Sequence, residues 1–310
     1  MNRICLQFFF TMLLLGFSAS AFAQLCKPSG IRYNEVQQLS SHNSYDKNRI
    51  KPDIEIQADS GIRSFEFDIH AKHTRLFHKS YPAGEWGVYH ITDLLSGGDY
   101  GSSLTECLNK VKAWHDRHPE HEVITIWLQL VGGWNKNGHS PMDLDSNINR
   151  CLSFRNIFTP AMFLHTTGSL QQAAASGWPV LDSMKGKFVI VLTGNNPACS
   201  AYLKSSQPTC FVAPQNIDSM EVLSGGWNNA VFFNFSTSRA GVARFVSSHG
   251  LVARMYAKPR LKTAGSMESS ADYELALKYH IQHIATDHVS KNMFAPRLTD
   301  VCGKPFRLMK

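Results

Sequence analysis

Short runs rich in β-branched and aromatic residues alternate with segments of helical composition about eight times along this chain, and that rhythm limits the folds open to it. The strand-like runs are one ending at Ser41, then Ser64–His70, Val88–His90, Glu122–Leu130, Phe188–Leu192, Val231–Phe235, Leu251–Tyr256 and His283–Asp287. Phe188–Leu192 is continuously apolar, as expected of a strand covered on both faces. Between the strands, Ser103-Leu104-Thr105-Glu106 has the spacing of a capping box, so a helix should open there. It should run to about Arg117 and stop before His118-Pro119. Further helices are expected at Leu170–Ser176, Pro179–Met184, Ser236–Ser248 and Tyr273–Tyr279. Alternating strands and helices of this kind form parallel βα units, and eight of them close into a barrel. The expected fold is therefore α/β, a TIM-like (β/α)8 barrel. No Pro/Ser-rich linker, repeat or low-complexity run divides the chain, so one domain is expected over residues 24–310.

Within this frame Ser64-Phe65-Glu66-Phe67-Asp68-Ile69-His70 stands out. Side chains alternate across a strand, so Phe65, Phe67 and Ile69 share one face and Glu66 and Asp68 the other. Two buried carboxylates repel each other and lose solvation. They need a cation, an arginine or a shared proton. His42-Asn43, His90 and Gln129 all fall near expected strand C-termini, the end at which barrels of this class place their chemistry.

His42-Asn43, Glu66-Phe67-Asp68 and His90 together resemble the catalytic half of the phosphatidylinositol-specific phospholipase C superfamily. Asn43 after the first histidine and Asp68 at the second acidic position resemble its calcium-dependent bacterial and fungal branch. A metal-independent branch carries arginine where Asp68 stands. The likeness continues through Trp114–His121, Gly177–Asp182, Lys185-Gly186-Lys187, Val252-Ala253-Arg254, Ala276-Leu277 and Ile284–Asp287. These pieces cover most of the chain after the leader, and their order and spacing carry the resemblance.

The resemblance implies cleavage of a phosphoinositide by attack of its own inositol 2-hydroxyl, giving a cyclic inositol phosphate and diacylglycerol. Such a site needs a base, an acid and positive charge near the phosphate. His42 and His90 are the expected acid–base pair, with the assignment between them open. Asn43, Glu66, Asp68 and Gln129 are the expected metal ligands. All four offer hard oxygen donors, which suit Ca2+, with Mg2+ as the alternative. Arg254, Tyr256 and Asp287 are the expected substrate-binding residues. The family commonly ends its fourth strand on a glutamate that helps hold the metal, whereas this chain reads Ile126-Trp127-Leu128-Gln129. An amide there removes one negative charge. Two other readings remain. A glycerophosphodiester phosphodiesterase would share the His, Glu-x-Asp and His layout but usually carries His-Arg in place of His42-Asn43. A non-catalytic barrel could hold phosphoinositides or glycans without cutting them. His70, His73 and His78 are spaced closely enough to raise a zinc cluster, without a fourth ligand to complete it.

Residues 1–23 combine Arg3, an apolar run from Phe8 to Phe17 and Ala21-Phe22-Ala23, the pattern of a cleavable secretory signal. The run is shorter than the ~20 residues a spanning helix needs. A secreted or periplasmic protein is expected. The chain has seven cysteines, and Cys5 falls in the leader. The other six suggest disulfides in an exported protein. Cys199–Cys210 is the favoured pair, with Cys107–Cys151 and Cys26–Cys302 as further guesses. A formal charge of +7 suits a transient anionic membrane surface, and equally a basic but inert surface. Trp86, Trp134 and Trp227 are possible interfacial contacts, although packing is the commoner role for such residues. No nucleic-acid partner is expected, and the oligomeric state is open.

Overall fold

A computed structural model describes residues 30–46, 52–71, 84–90, 102–134, 138–205, 207–257, 260–261, 267–268, 271–287, 289 and 305–309. Its frame is eight strands: β1 (Val36–Ser41), β2 (Ser64–His70), β3 (Ile124–Val131), β4 (Phe188–Gly194), β5 (Phe211–Val212), β6 (Phe232–Phe235), β7 (Val252–Tyr256) and β8 (His283–Thr286). β1 to β5 pair in sequence order, all parallel. β6, β7 and β8 continue the parallel order and return to β1. The seam between β5 and β6 is bridged at Gln215 and Asn234. There the Asn216 N–H donates to Asn234 O at 2.9 Å, and the Asn234 N–H to Pro214 O at 3.1 Å. The result is a nearly closed TIM-like α/β barrel, as the alternation implied.

Nine α-helices occur among the described residues: α1 (Ile54–Asp59), α2 (Leu104–Arg117), α3 (Pro141–Leu152), α4 (Pro160–Leu164), α5 (Leu170–Ser176), α6 (Asn196–Tyr202), α7 (Ser219–Val222), α8 (Ala240–Ser248) and α9 (Ala271–Lys278). The α2 capping box forms as expected. Ser103 Oγ accepts from the Glu106 N–H at 3.1 Å, and Glu106 Oε2 accepts from the Ser103 N–H at 2.9 Å. Leu104, Cys107, Leu108, Val111 and Trp114 recur at helical spacing, and all are buried. None of the described helices is long and apolar enough to cross a membrane.

β2 behaves as its alternation demands. Phe65, Phe67 and Ile69 are wholly buried on its outer face. Its other face lines the barrel, whose interior is polar in layers. The lowest layer joins Ser64, Thr125 and His283, with Tyr33 inserted from below. Tyr33 Oη lies 2.7 Å from Thr125 Oγ1 and 3.1 Å from His283 Nε2. Above it come Glu66 and Trp127, partners in the β2–β3 register, and Asn234 and Arg254, partners in the β6–β7 register. At the end of β4, Gly194 has φ +104°, and a Cβ there would meet Leu130 O at 2.6 Å. Only glycine suits that crossing.

Several expectations change. Val88–His90 is not a barrel strand. Only Gly87–Val88 is extended, and it pairs antiparallel with His70 and Ile69 of β2 and with Ser102–Ser103. The missing barrel strand is β5, only two residues long and overlooked for that reason. Pro179–Met184 holds a 3-10 turn at Leu181–Met184, and Ser236–Ser248 splits into a 3-10 turn at Thr237–Arg239 followed by α8. Among the described residues no disulfide is formed. Cys107, Cys151, Cys199 and Cys210 are buried free thiols, so neither Cys199–Cys210 nor Cys107–Cys151 is formed. They serve as small core residues, and burial pushes the Cys107 and Cys199 thiols up to about 12. Cys26 and Cys302 lie outside the described residues, as do residues 1–23, His73 and His78.

Candidate active site

The C-terminal end of β1 makes the first corner. Its last residue, Ser41, is followed by His42, whose N–H donates to Thr286 O of β8 at 3.0 Å. Asn43 then takes φ +48°, in the left-handed region where asparagine is enriched. That turn aims the Asn43 N–H at Glu66 Oε2, 3.3 Å away. Ser44 ties the corner to β2. Its N–H donates to Glu66 O at 3.0 Å, and the Glu66 N–H donates to Ser44 Oγ at 2.9 Å.

The ring of His42 is clamped from β8 and β7. Its Nδ1 lies 2.8 Å from Asp287 Oδ1. A carboxylate can only accept, so Nδ1 carries a proton, and in the neutral ring Nε2 is the nitrogen left with a lone pair. Nε2 lies 3.9 Å from Glu66 Oε2. Tyr256 Oη donates to the other Asp287 oxygen at 2.6 Å, and its ring packs 4.2 Å from the His42 ring. Three residues expected on separate strands, His42, Tyr256 and Asp287, therefore form one hydrogen-bonded group.

Beneath them Arg254 Nη2 donates to Glu66 Oε2 at 2.5 Å, and Arg254 Nη1 to Asn234 Oδ1 at 3.0 Å. Trp127 lies below the guanidinium, 5.4 Å from its ring centre, a cation–π distance. Burial alone would raise the Glu66 pKa. The Arg254 guanidinium, then the His42 ring when it is protonated, outweigh it and hold the carboxyl below its ordinary value. Arg254 is thus an ion-pair partner of Glu66 in the barrel interior, only 2% exposed. Asp68 stands one layer higher and accepts from Tyr45 Oη at 3.0 Å. Gln129 is its register partner on β3 and is half-buried.

His90 is half-buried and follows Val88, the register partner of Ile69. That pairing runs antiparallel to β2, so the chain heads from the level of His70 back towards Asp68. Burial lowers the His70 pKa to about 4.

Asn43, Glu66, Asp68 and Gln129 supply two carboxylates and two amides at one end of the barrel. Oxygen donors of this kind fit a hard divalent cation. Among the described residues no three His, Cys, Asp or Glu side chains form a metal-holding group. The candidate set has only two such side chains, its other donors being amides. Arg254 further offsets the charge of Glu66.

Tyr45 and Asn234 were not anticipated. Asn234 left a signal, as the one amide in an apolar run, and Tyr45 closes the Ser41–Tyr45 segment. Trp86 is wholly buried, so it packs in the interior and touches no membrane. Trp134 packs on Tyr202 and donates to Ala198 O at 2.9 Å.

The family model for "Phosphoinositide phospholipase C, Ca2+-dependent" matches residues 78–298. Among solved structures, the chain is similar to a calcium-dependent phosphoinositol-specific phospholipase C from a Gram-negative Pseudomonas species in complex with myo-inositol. The TM-score is 0.72 at 22% identity, covering 90% of this chain and 96% of that one. It is also similar to a Ca2+-dependent phosphatidylinositol-specific phospholipase C from Streptomyces antibioticus, with TM-score 0.64, 18% identity, and coverage of 84% and 96%. At these identities the structural likeness speaks for the fold. No curated protein sequence matches.

Proposed function

From the premise that the chain belongs to the Ca2+-dependent phosphoinositide phospholipase C family and is a phosphodiesterase of that type, we propose that it cleaves phosphatidylinositol-type diesters by internal attack. The inositol 2-hydroxyl forms a bond to phosphorus as the bond to the diacylglycerol oxygen breaks. His42 Nε2 accepts the hydroxyl proton, and His90 donates one to the departing oxygen. The observation that carries this reading is the 2.8 Å bond between His42 Nδ1 and Asp287, which leaves Nε2 as the acceptor. Asp287 also steadies the imidazolium that forms. In this reading Tyr256 and Asp287 also bind the inositol ring, while Arg254 keeps Glu66 ionised and fixed and adds positive potential below the phosphate. Asn43, Glu66, Asp68 and Gln129 would hold Ca2+. When bound there, the ion supplies positive charge beside the phosphate oxygens and lowers the pKa of the attacking hydroxyl.

The leader-like residues 1–23 support an exported protein, secreted or periplasmic, and the +7 charge supports transient contact with anionic membranes. The test is phosphorus NMR of phosphatidylinositol turnover, with calcium and with chelator, beside glycerophosphoinositol as substrate. A cyclic inositol phosphate as first product, lost on chelation, is expected. Non-cyclic phosphate from the first time point would favour attack by water. Turnover of glycerophosphoinositol alone would favour the glycerophosphodiesterase reading. Binding without turnover would favour a non-catalytic barrel.

A further inference from the structure

His70 ends β2 on the barrel-lining face, two residues beyond Asp68 and four beyond Glu66. Its ring lies almost flat on that of Tyr89, with centroids 3.8 Å apart and planes 9° from parallel. Its Nε2 is 2.9 Å from Tyr89 O. A carbonyl oxygen only accepts, so Nε2–H donates. His70 is buried. The Tyr89 carbonyl belongs to the peptide bond that joins Tyr89 to His90. Upstream the same segment is tied down by wholly buried Trp86 and Val88 and by the pairing of Gly87 with His70 and Val88 with Ile69. That pairing stops at Val88, one residue before the stack begins. The stack and the hydrogen bond thus extend the hold of β2 on this segment to the residue next to His90.

We propose that His70 is a positioning residue for His90, fixing the Tyr89–His90 peptide through ring stacking and a carbonyl hydrogen bond. It acts through another residue and not on the substrate itself. This inference rests on the acid–base reading of His90 given above. An acid must sit within hydrogen-bond reach of the leaving oxygen, and a displacement of about 1 Å can cost up to about 10²-fold in rate.

A kinetic cycle tests it, with phosphatidylinositol in mixed micelles containing calcium. His70→Ala should lower kcat about 10- to 100-fold and leave KM within about twofold. His70→Phe keeps a ring to stack and loses only the donor, so it should lose less. In a His90→Ala background, His70→Ala should bring no further loss, because the residue it positions is gone. An equal loss in that background, or an unchanged kcat in His70→Ala, would overturn the proposal. Melting curves for each variant separate misfolding from misplacement, and His70→Phe serves should His70→Ala fail to fold. A crystal structure gives a readout that needs no activity: His90 should be displaced in His70→Ala or His70→Phe. Should His90 keep its wild-type place in both, the proposal fails whatever the kinetics. If His90→Ala itself turns over normally, the acid–base reading falls instead, and the structural readout still decides whether His70 holds the segment.

Discussion

Arg254 and Glu66 are far apart in sequence, on β7 and β2, yet their side chains meet at 2.5 Å inside the barrel, 2% and 1% exposed. The pair sits directly beneath the His42–Asp287 bond. It connects the floor of the candidate site to the polar layer below, since Arg254 Nε lies 3.5 Å from Ser40 Oγ and Ser40 Oγ accepts from Ser64 Oγ at 2.8 Å. Removing one partner of a buried ion pair leaves an uncompensated charge, which typically costs about 3–5 kcal/mol. Arg254→Ala should therefore lower unfolding stability by about that much in denaturant titrations. Glu66→Gln, which leaves a neutral amide able to accept from the guanidinium, should cost less. Equal stability losses in the two variants would show that an amide is no substitute for the carboxylate, the guanidinium charge being left as uncompensated as the Glu66 charge is in Arg254→Ala.

Asp287→Asn tests the other clamp. An amide can present its N–H to His42 Nδ1, which turns the imidazole to the wrong tautomer without removing volume. Loss of a correctly set proton-transfer group is worth about 10²–10⁴ in rate, so kcat should fall by at least about 10². Tyr256→Phe removes only the 2.6 Å bond to the second Asp287 oxygen and should cost less. Measured kcat for both variants, with melting temperatures near wild type, checks the order. A kcat for Asp287→Asn within a few-fold of wild type would separate His42 from proton transfer.

What the sequence revealed, and what it hid, follows from the range of each interaction. Alternation within Ser64–His70 placed Phe65, Phe67 and Ile69 against the helices and Glu66 and Asp68 in the barrel, because that pattern is local. The Ser103–Glu106 box is local too. The partners of those carboxylates are not. Arg254 is 188 residues from Glu66, and Asp287 is 245 residues from His42. No period in the sequence announces either pairing. β5 escaped because two residues carry no periodicity, and Val88–His90 was mistaken for a barrel strand for the same reason. The even count of cysteines suggested cross-links, yet four of the thiols are buried as apolar groups.

The polar barrel floor should make the protein acid-labile. Burial, then the Arg254 charge, lowers the His283 pKa from 6.5 to about 3. The ring is neutral in the fold, bonded to Tyr33 and Ser64 at 3.1 Å each. Between pH 6.5 and about 3 the unfolded chain binds a proton that the folded chain does not. Stability therefore falls as pH drops through that window, by up to about 1.4 kcal/mol per pH unit for this group. His283→Gln removes the titration, so its loss of stability between pH 7 and pH 5 should be smaller than that of wild type by about 2 kcal/mol. Urea titrations at the two pH values measure this, and parallel losses in both proteins would assign the acid sensitivity to other groups.

Gln129 is the amide that stands where the resemblance implied a glutamate. It stands beside Asp68 in the β2–β3 register and opposite Thr193 in the β3–β4 register. With an amide there, the carboxylates of the candidate ligand set are Glu66 and Asp68, and Glu66 already shares an oxygen with Arg254. The set therefore carries little net negative charge for a divalent cation, and calcium should bind more weakly than to a three-carboxylate set. Gln129→Glu adds a formal charge without a change in side-chain length. Gly194 leaves that side chain its room, since a Cβ built there would come within 3.2 Å of Gln129 Cγ, and a glutamate of the same length keeps to the same space. The added carboxylate should stay at the strand end, so calcium affinity should rise by at least about tenfold, a gain of about 1.4 kcal/mol. Titration calorimetry of the two proteins with calcium reads this without any substrate. If the variant binds calcium no more tightly than wild type, Gln129 lies outside the metal shell, and Asn43, Glu66 and Asp68 are left as the candidate protein ligands.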